Sequence, residues 1–157
     1  MKTDVENTQE NFPASMTDQE LFDTVAKHLF SQGEPCTNGY GDCRYRRKNK
    51  DGSFDTKRCA IGRCFPDSEY SPAMEGNSIN CLVDIYPTLD KRFHKNDHRL
   101  LAELQRVHDY CDLDKFAQAT IPQFWQTTKM MKEGLRDVAR RYNLDDSVLE
   151  TLRFEGR

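Results

Sequence analysis

The chain has 157 residues, 36% of them hydrophobic and 31% charged, with a mean hydropathy of -0.86 and a formal net charge of -3. That balance excludes a membrane protein, and the length argues for one core rather than two, since domains usually run to roughly 100–200 residues. Aromatic residues at 10% exclude a disordered chain.

Residues 1–16 set Asp4, Glu6 and Glu10 against Lys2 and have no apolar run, so they are expected to form a flexible acidic arm ahead of a single domain over 17–157. No apolar run anywhere approaches the roughly 20 residues needed to span a bilayer. The expected location is the cytoplasm. There the six cysteines (Cys36, Cys43, Cys59, Cys64, Cys81, Cys111) stay reduced, as core thiols or as metal ligands.

Thr17 and Glu20 form a capping box, with Met16 placed to staple onto Leu21. Leu21, Phe22, Val25, Ala26, Leu29 and Phe30 then recur on one helical face until Gly33 ends the run. Residues 33–42 are loop by composition.

A β-hairpin at 43–60 follows, inserted after the first helix. Asn49 and Ser53 flank a loop of Lys50, Asp51 and Gly52, with glycine in the left-handed position. Counting outward sets Cys43 opposite Cys59. Alternation then puts Cys43, Tyr45, Lys57, Cys59 and Ile61 on a packing face, and Arg44, Arg46, Lys48, Phe54 and Arg58 on a binding face. From residue 44 to residue 63 there are eight basic side chains and two acidic ones, a local balance of +6, so the remainder of the chain carries -9. A basic island in an acidic chain favours a delimited phosphate-bearing ligand, or an acidic protein patch, over a long polyanion.

Short helical turns are expected at Asp67 and Ser71 within a covering loop over residues 65–76. Ile79, Leu82, Val83 and Tyr86 predict a short helix from Ser78 to the stop at Pro87. Leu100, Leu101, Leu104, Val107 and Cys111 mark another, capped by Asn96 or Asp97. Thr120, Pro122 and Gln123 resemble the start of a helix carrying Phe124, Met131, Leu135, Val138, Ala139 and Tyr142. Gly134 inside it costs roughly 1 kcal/mol relative to alanine. A last helix is expected over 146–154. The fold class is α+β, a mostly helical single domain with an inserted hairpin.

Cys36, Cys43, Cys59 and Cys64 flank the hairpin and could form a four-thiolate zinc site. Of their spacings only the second pair suits one, so buried thiols at the hairpin base are the alternative. His108 lies on an apolar helical stripe and is expected as a satisfied core-edge histidine rather than a catalytic base, with Asp109 and Asp112 as polar surface. There is no glycine-rich phosphate loop, metal-site histidine pair or serine elbow. The site signal is the basic face: Arg44, Arg46, Lys48 and Arg58 for phosphate, with Tyr45 or Phe54 to stack on a ring. Its alternative is a solvated hairpin, with Asp67, Glu69 and Glu75 as neutralising partners. Charge reversal at Arg44 plus Arg46 is expected to spare folding and remove binding.

Several strings occur in order: Cys43-Arg44-Tyr45-Arg46, Lys57-Arg58-Cys59-Ala60-Ile61-Gly62, Pro66-Asp67-Ser68-Glu69-Tyr70, Met74-Glu75-Gly76 and Leu104-Gln105-Arg106-Val107-His108-Asp109. Over roughly residues 20–144 they resemble a widespread group of small proteins, of no assigned activity, encoded by tailed bacteriophages and bacteria. This chain departs from that pattern in a longer hairpin and in Cys36 and Cys64. The resemblance implies a phage or mobile-element origin and a shared fold. The function expected is a noncatalytic accessory binder that modulates or inhibits a host process, by sequestering a phosphate-bearing small molecule or docking on a host protein, with a second copy of the chain as a further candidate partner. The alternative is a nucleic-acid-binding module using Arg44, Arg46, Lys48 and Arg58, with zinc as its stabilising metal.

Overall fold

The computed structural model describes residues 15–38, 42–109 and 123–154. Among these the order is α1 (Asp18–Gln32), β1 (Arg46–Lys48), β2 (Phe54–Arg58), α2 (Ile79–Ile85), α3 (Pro87–Arg92), α4 (His98–Asp109) and α5 (Thr128–Arg141). Short 3-10 turns lie at Gly62–Cys64, Asp67–Glu69, Pro72–Met74, Gln123–Trp125 and Ser147–Thr151. The architecture is α+β, helices around one core with an antiparallel hairpin after the first. No helix among the described residues is long and apolar enough to cross a membrane.

The start of α1 follows its sequence signals. Thr17 Oγ1 accepts from the Glu20 N–H at 3.1 Å, and Glu20 Oε1 accepts from the Thr17 N–H at 2.9 Å. Gly33 closes the helix at φ 75, and its N–H donates to the Leu29 carbonyl. All six stripe residues of α1 are buried, and Leu21, Phe22, Val25, Leu29 and Phe30 are each worth roughly 1.5–3 kcal/mol as large side chains removed from water. The central helix is α4, which packs against α1, α2 and α5. Phe30, Phe154 and Trp125 join α1 to the segments before and after α5 in an aromatic cluster, Trp125 stacking on Phe154 at 5.7 Å.

Several boundaries depart from the sequence reading. Pro87 does stop α2, and it also begins α3 at the position where its missing N–H is least costly. Asp97 caps α4 by accepting from the Arg99 N–H at 2.9 Å, whereas Asn96 is buried and donates to Met16 O and Asp18 Oδ1. The fifth helix is capped by Thr127, whose hydroxyl accepts from the Met130 N–H. Phe124 stands before it in a 3-10 turn, and the expected cap at Thr120 lies outside the described residues, as do Cys111, Asp112 and residues 1–14. The last helix is a 3-10 segment, Ser147–Thr151.

The hairpin tip forms as expected: Gly52 has φ 91, and the Asn49 N–H donates to the Ser53 carbonyl. Beyond Lys48 opposite Phe54 the register shifts, so that Arg46 faces Arg58. Asp55 holds the shift, its carboxylate accepting from the Lys57 N–H at 2.8 Å while its carbonyl accepts from Arg58. A side chain that turns back onto its own backbone breaks a strand ladder locally. Cys43 therefore does not face Cys59. It bridges Thr37 instead, and the Arg44 N–H donates to the Cys36 carbonyl.

Candidate functional site at the hairpin base

The packing face behaves as its alternation predicts, with Tyr45, Cys59 and Ile61 buried. The opposite face does not lie open. The turns after β2 cover Arg46, leaving it 1% exposed. Its guanidinium donates to Asp67 Oδ1 at 2.8 Å and to the carbonyls of Gly62 at 2.8 Å, Phe65 at 2.9 Å and Tyr45 at 3.2 Å, and it stacks over the Phe65 ring. Gly62 is required here, because a Cβ would stand 2.8 Å from the Tyr45 carbonyl and 3.1 Å from the Arg46 guanidinium. Charge reversal at Arg46 would break the core, contrary to the sequence expectation.

Most of the basic island is spent internally. Arg58 joins Arg46 on Asp67, Arg47 meets Asp55 and Glu34, Lys57 meets Glu34, and Arg44 approaches Glu75 at 3.5 Å. Glu69 pairs with Arg92 instead. Glu75 also seals the strand edge: its two carboxylate oxygens accept from the consecutive N–H groups of Tyr45 and Arg46, and Tyr70 donates its hydroxyl at 2.7 Å. Lys48 lies over the half-exposed Phe54 ring, which packs edge-on against Tyr70.

A cleft of about 410 Å³ opens beside this sealed edge, between Cys43, Arg44 and Tyr45 on one side, residues 76–79 on another, and α4. The helix presents Ala102, Gln105, Arg106 and Asp109, the i, i+3, i+4 and i+7 positions that share one helical face. Two backbone amides organise its polar end. The Cys36 N–H donates to His108 Nε2 at 2.9 Å, which places the imidazole proton on Nδ1, and Nδ1 donates to Asp109 Oδ1 at 2.5 Å. The Ile61 N–H donates to Gln105 Oε1 at 3.0 Å, which turns the amide nitrogen of Gln105 onto the same Asp109 Oδ1 at 2.9 Å.

His108 is fully buried, with Trp125 edge-on at 5.6 Å and donating its indole N–H to the His108 carbonyl. It is the satisfied histidine that its apolar stripe suggests. Burial, and then the Asp109 carboxylate, push the Cys43 thiol up from its ordinary pKa. The Cys43, His108 and Asp109 trio therefore has the wrong polarity for nucleophilic chemistry: the thiol stays protonated, and neither histidine nitrogen offers it a lone pair.

The same geometry bears on metal. Cys43, His108 and Asp109 bring ligand atoms within 4.8 Å of one another, but the Nδ1 lone pair is lost to a proton that the Cys36 N–H keeps in place. A cation at Nδ1 would need an imidazolate, or an Nε2–H turned against that amide, so these residues do not fit a divalent metal. No three of Cys36, Cys43, Cys59 and Cys64 gather as ligands among the described residues. Burial pushes Cys36 and Cys64 up to about 12 and Cys59 well above its ordinary value. Cys59 Sγ accepts from the Gly62 N–H at 3.2 Å, and Cys64 donates to the Ala60 carbonyl.

Of the sequence-predicted site residues, Arg44 and Tyr45 reach the cleft, Arg46 and Arg58 are bound into the fold by Asp67, and Lys48 and Phe54 stand near the tip. The sequence does not by itself mark Gln105, Arg106 and Asp109 as ligand groups. Their signal was helical spacing along one stripe, which becomes visible only once a facing strand is placed. Comparison with known proteins finds no matching family model, no matching curated protein and no matching solved structure.

Proposed function

We propose that this chain is a noncatalytic binding protein of the phage accessory kind, acting in the bacterial cytoplasm to modulate a host process by sequestering a small phosphate-bearing molecule. The observation that carries this reading is the convergence of Arg44 and Arg106 on one cleft of about 410 Å³, from two elements far apart in the chain. Arginine suits a phosphate because its planar fork matches two oxygens at once. The cleft lies in the roughly 300–1,000 Å³ range of small-molecule sites, and Tyr45, Ile79 and Ala102 give it apolar wall.

Native mass spectrometry of protein purified from bacteria tests the reading. Retention of a phosphate-bearing mass, lost in an Arg44→Ala/Arg106→Ala variant, is the expected result. A bare chain that gains no phosphate compound from a cytosolic metabolite extract would contradict it.

The second reading is docking on a host protein through the hairpin tip, favoured by the exposure of Phe54 beside Lys48 and by Lys50 in the turn. The nucleic-acid reading loses support because Arg46 and Arg58 are committed to Asp67.

A further inference from the structure

Asp109 is held as an acceptor in an unusually determined way. Both hydrogen bonds it receives from His108 and Gln105 fall on Oδ1, and each donor is oriented by a backbone amide at its other end. Neither side chain can reverse its polarity without leaving the Cys36 or the Ile61 N–H unpaired. The carboxylate is 37% exposed and lines the cleft. With the lone pairs of Oδ1 filled, Oδ2 is, among the described residues, the oxygen left to face a ligand. The Cys43 thiol beside it is a weak donor, which a stronger N–H or O–H group displaces.

We infer that the cleft takes a nucleoside monophosphate, its phosphate on Arg44 and Arg106 and one N–H or O–H donor of the nucleoside on Asp109 Oδ2. This rests on the phosphate-binding reading of the same cleft. The cleft is larger than inorganic phosphate requires, and the partly buried Ala102 lines it beside the largely buried Tyr45 and Ile79, which gives a base or a ribose an apolar wall. A guanine edge sets its paired N–H donors on the two oxygens of a carboxylate, and Oδ1 is already filled, so the site suits an exocyclic amine or a ribose hydroxyl instead. A ligand that lacks the donor leaves a partly buried carboxylate facing an apolar group, and such a mismatch discriminates strongly.

Isothermal titration of the full chain with AMP, purine riboside 5′-monophosphate, 2′,3′-dideoxy-AMP and inorganic phosphate tests this. AMP is expected to bind about tenfold or more tighter than inorganic phosphate. One donor-lacking analogue is expected to fall by about the same factor, the purine riboside if the amine is read and the dideoxy compound if the ribose is. Asp109→Asn removes that difference, and Arg106→Ala weakens every phosphate compound. If both analogues bind wild-type protein as tightly as AMP, or if folded Asp109→Asn binds AMP unchanged, the donor assignment is wrong while the phosphate cleft stands. If no phosphate compound binds, both fail. The wild-type analogue series decides the question even where the Asp109 variant does not fold.

Discussion

The backbone N–H of Cys36 donates to Nε2 of His108 at 2.9 Å, joining residues 72 apart in sequence. This bond fixes the tautomer of a buried ring and thereby aims a proton at Asp109. His108→Ala leaves that amide and the Asp109 carboxylate short of partners and opens a void beside Trp125, so a loss of about 3 kcal/mol is expected in urea unfolding. Nitrogen-detected NMR should find His108 neutral with its proton on Nδ1. A proton on Nε2 would undo the proposed polarity of the cleft.

Arg46 and Asp67 form the second long-range tie. Arg46→Met removes the donors to three carbonyls and leaves Asp67 with Arg58 alone, and a cost of about 3 kcal/mol is expected. Arg46→Lys should cost nearly as much, because one ammonium cannot span Asp67 and three carbonyls. Chemical denaturation of both variants checks this, and wild-type stability in either would return Arg46 to the surface.

Gly134 sits in α5 against Phe124, where a Cβ would stand 2.9 Å from the ring. Helix propensity alone predicts that Gly134→Ala stabilises by roughly 1 kcal/mol. The contact predicts the opposite sign, a loss of about 1 kcal/mol, because the ring must be displaced from its packing. The denaturation midpoint separates the two.

His28 supplies a pH dependence. Its Nε2 lies 3.0 Å from the Arg58 carbonyl, and burial pushes its pKa down to about 4 despite that bond. An unfolded histidine titrates near 6.5. Between those values the unfolded chain binds a proton that the folded chain refuses. The contribution to stability is therefore complete above about pH 6.5 and is lost as pH falls toward 4. Between about pH 7 and pH 5 the loss should be about 2 kcal/mol. His28→Gln, which can keep a donor to the carbonyl, should lack this component; equal slopes for both proteins would refute the assignment.

What was legible in the sequence was local. Thr17, Glu20 and Gly33 bound their helix, and Gly52 its turn, because each acts through backbone within a few residues. The register shift at Asp55 carried a readable sign, an aspartate inside a strand, where that residue is disfavoured. The fate of Arg46 did not. Alternation assigned it to an outer face, and it is the turns at Gly62–Cys64 and Asp67–Glu69 that roof that face. The cleft was half legible: Arg44 and Tyr45 came from the hairpin, while Gln105 and Asp109 read as helix surface until Ile61 and Cys36 were placed against them.

Whether a phosphate-bearing molecule occupies the cleft between the hairpin base and α4 is decided by amide chemical-shift mapping during titration with AMP. Phosphate binding there should give shifts concentrated at Arg44, Tyr45, residues 76–79, Arg106 and Asp109, abolished in the Arg44→Ala/Arg106→Ala variant. Shifts confined to the hairpin tip around Lys48 and Lys50, or none at all, would contradict it.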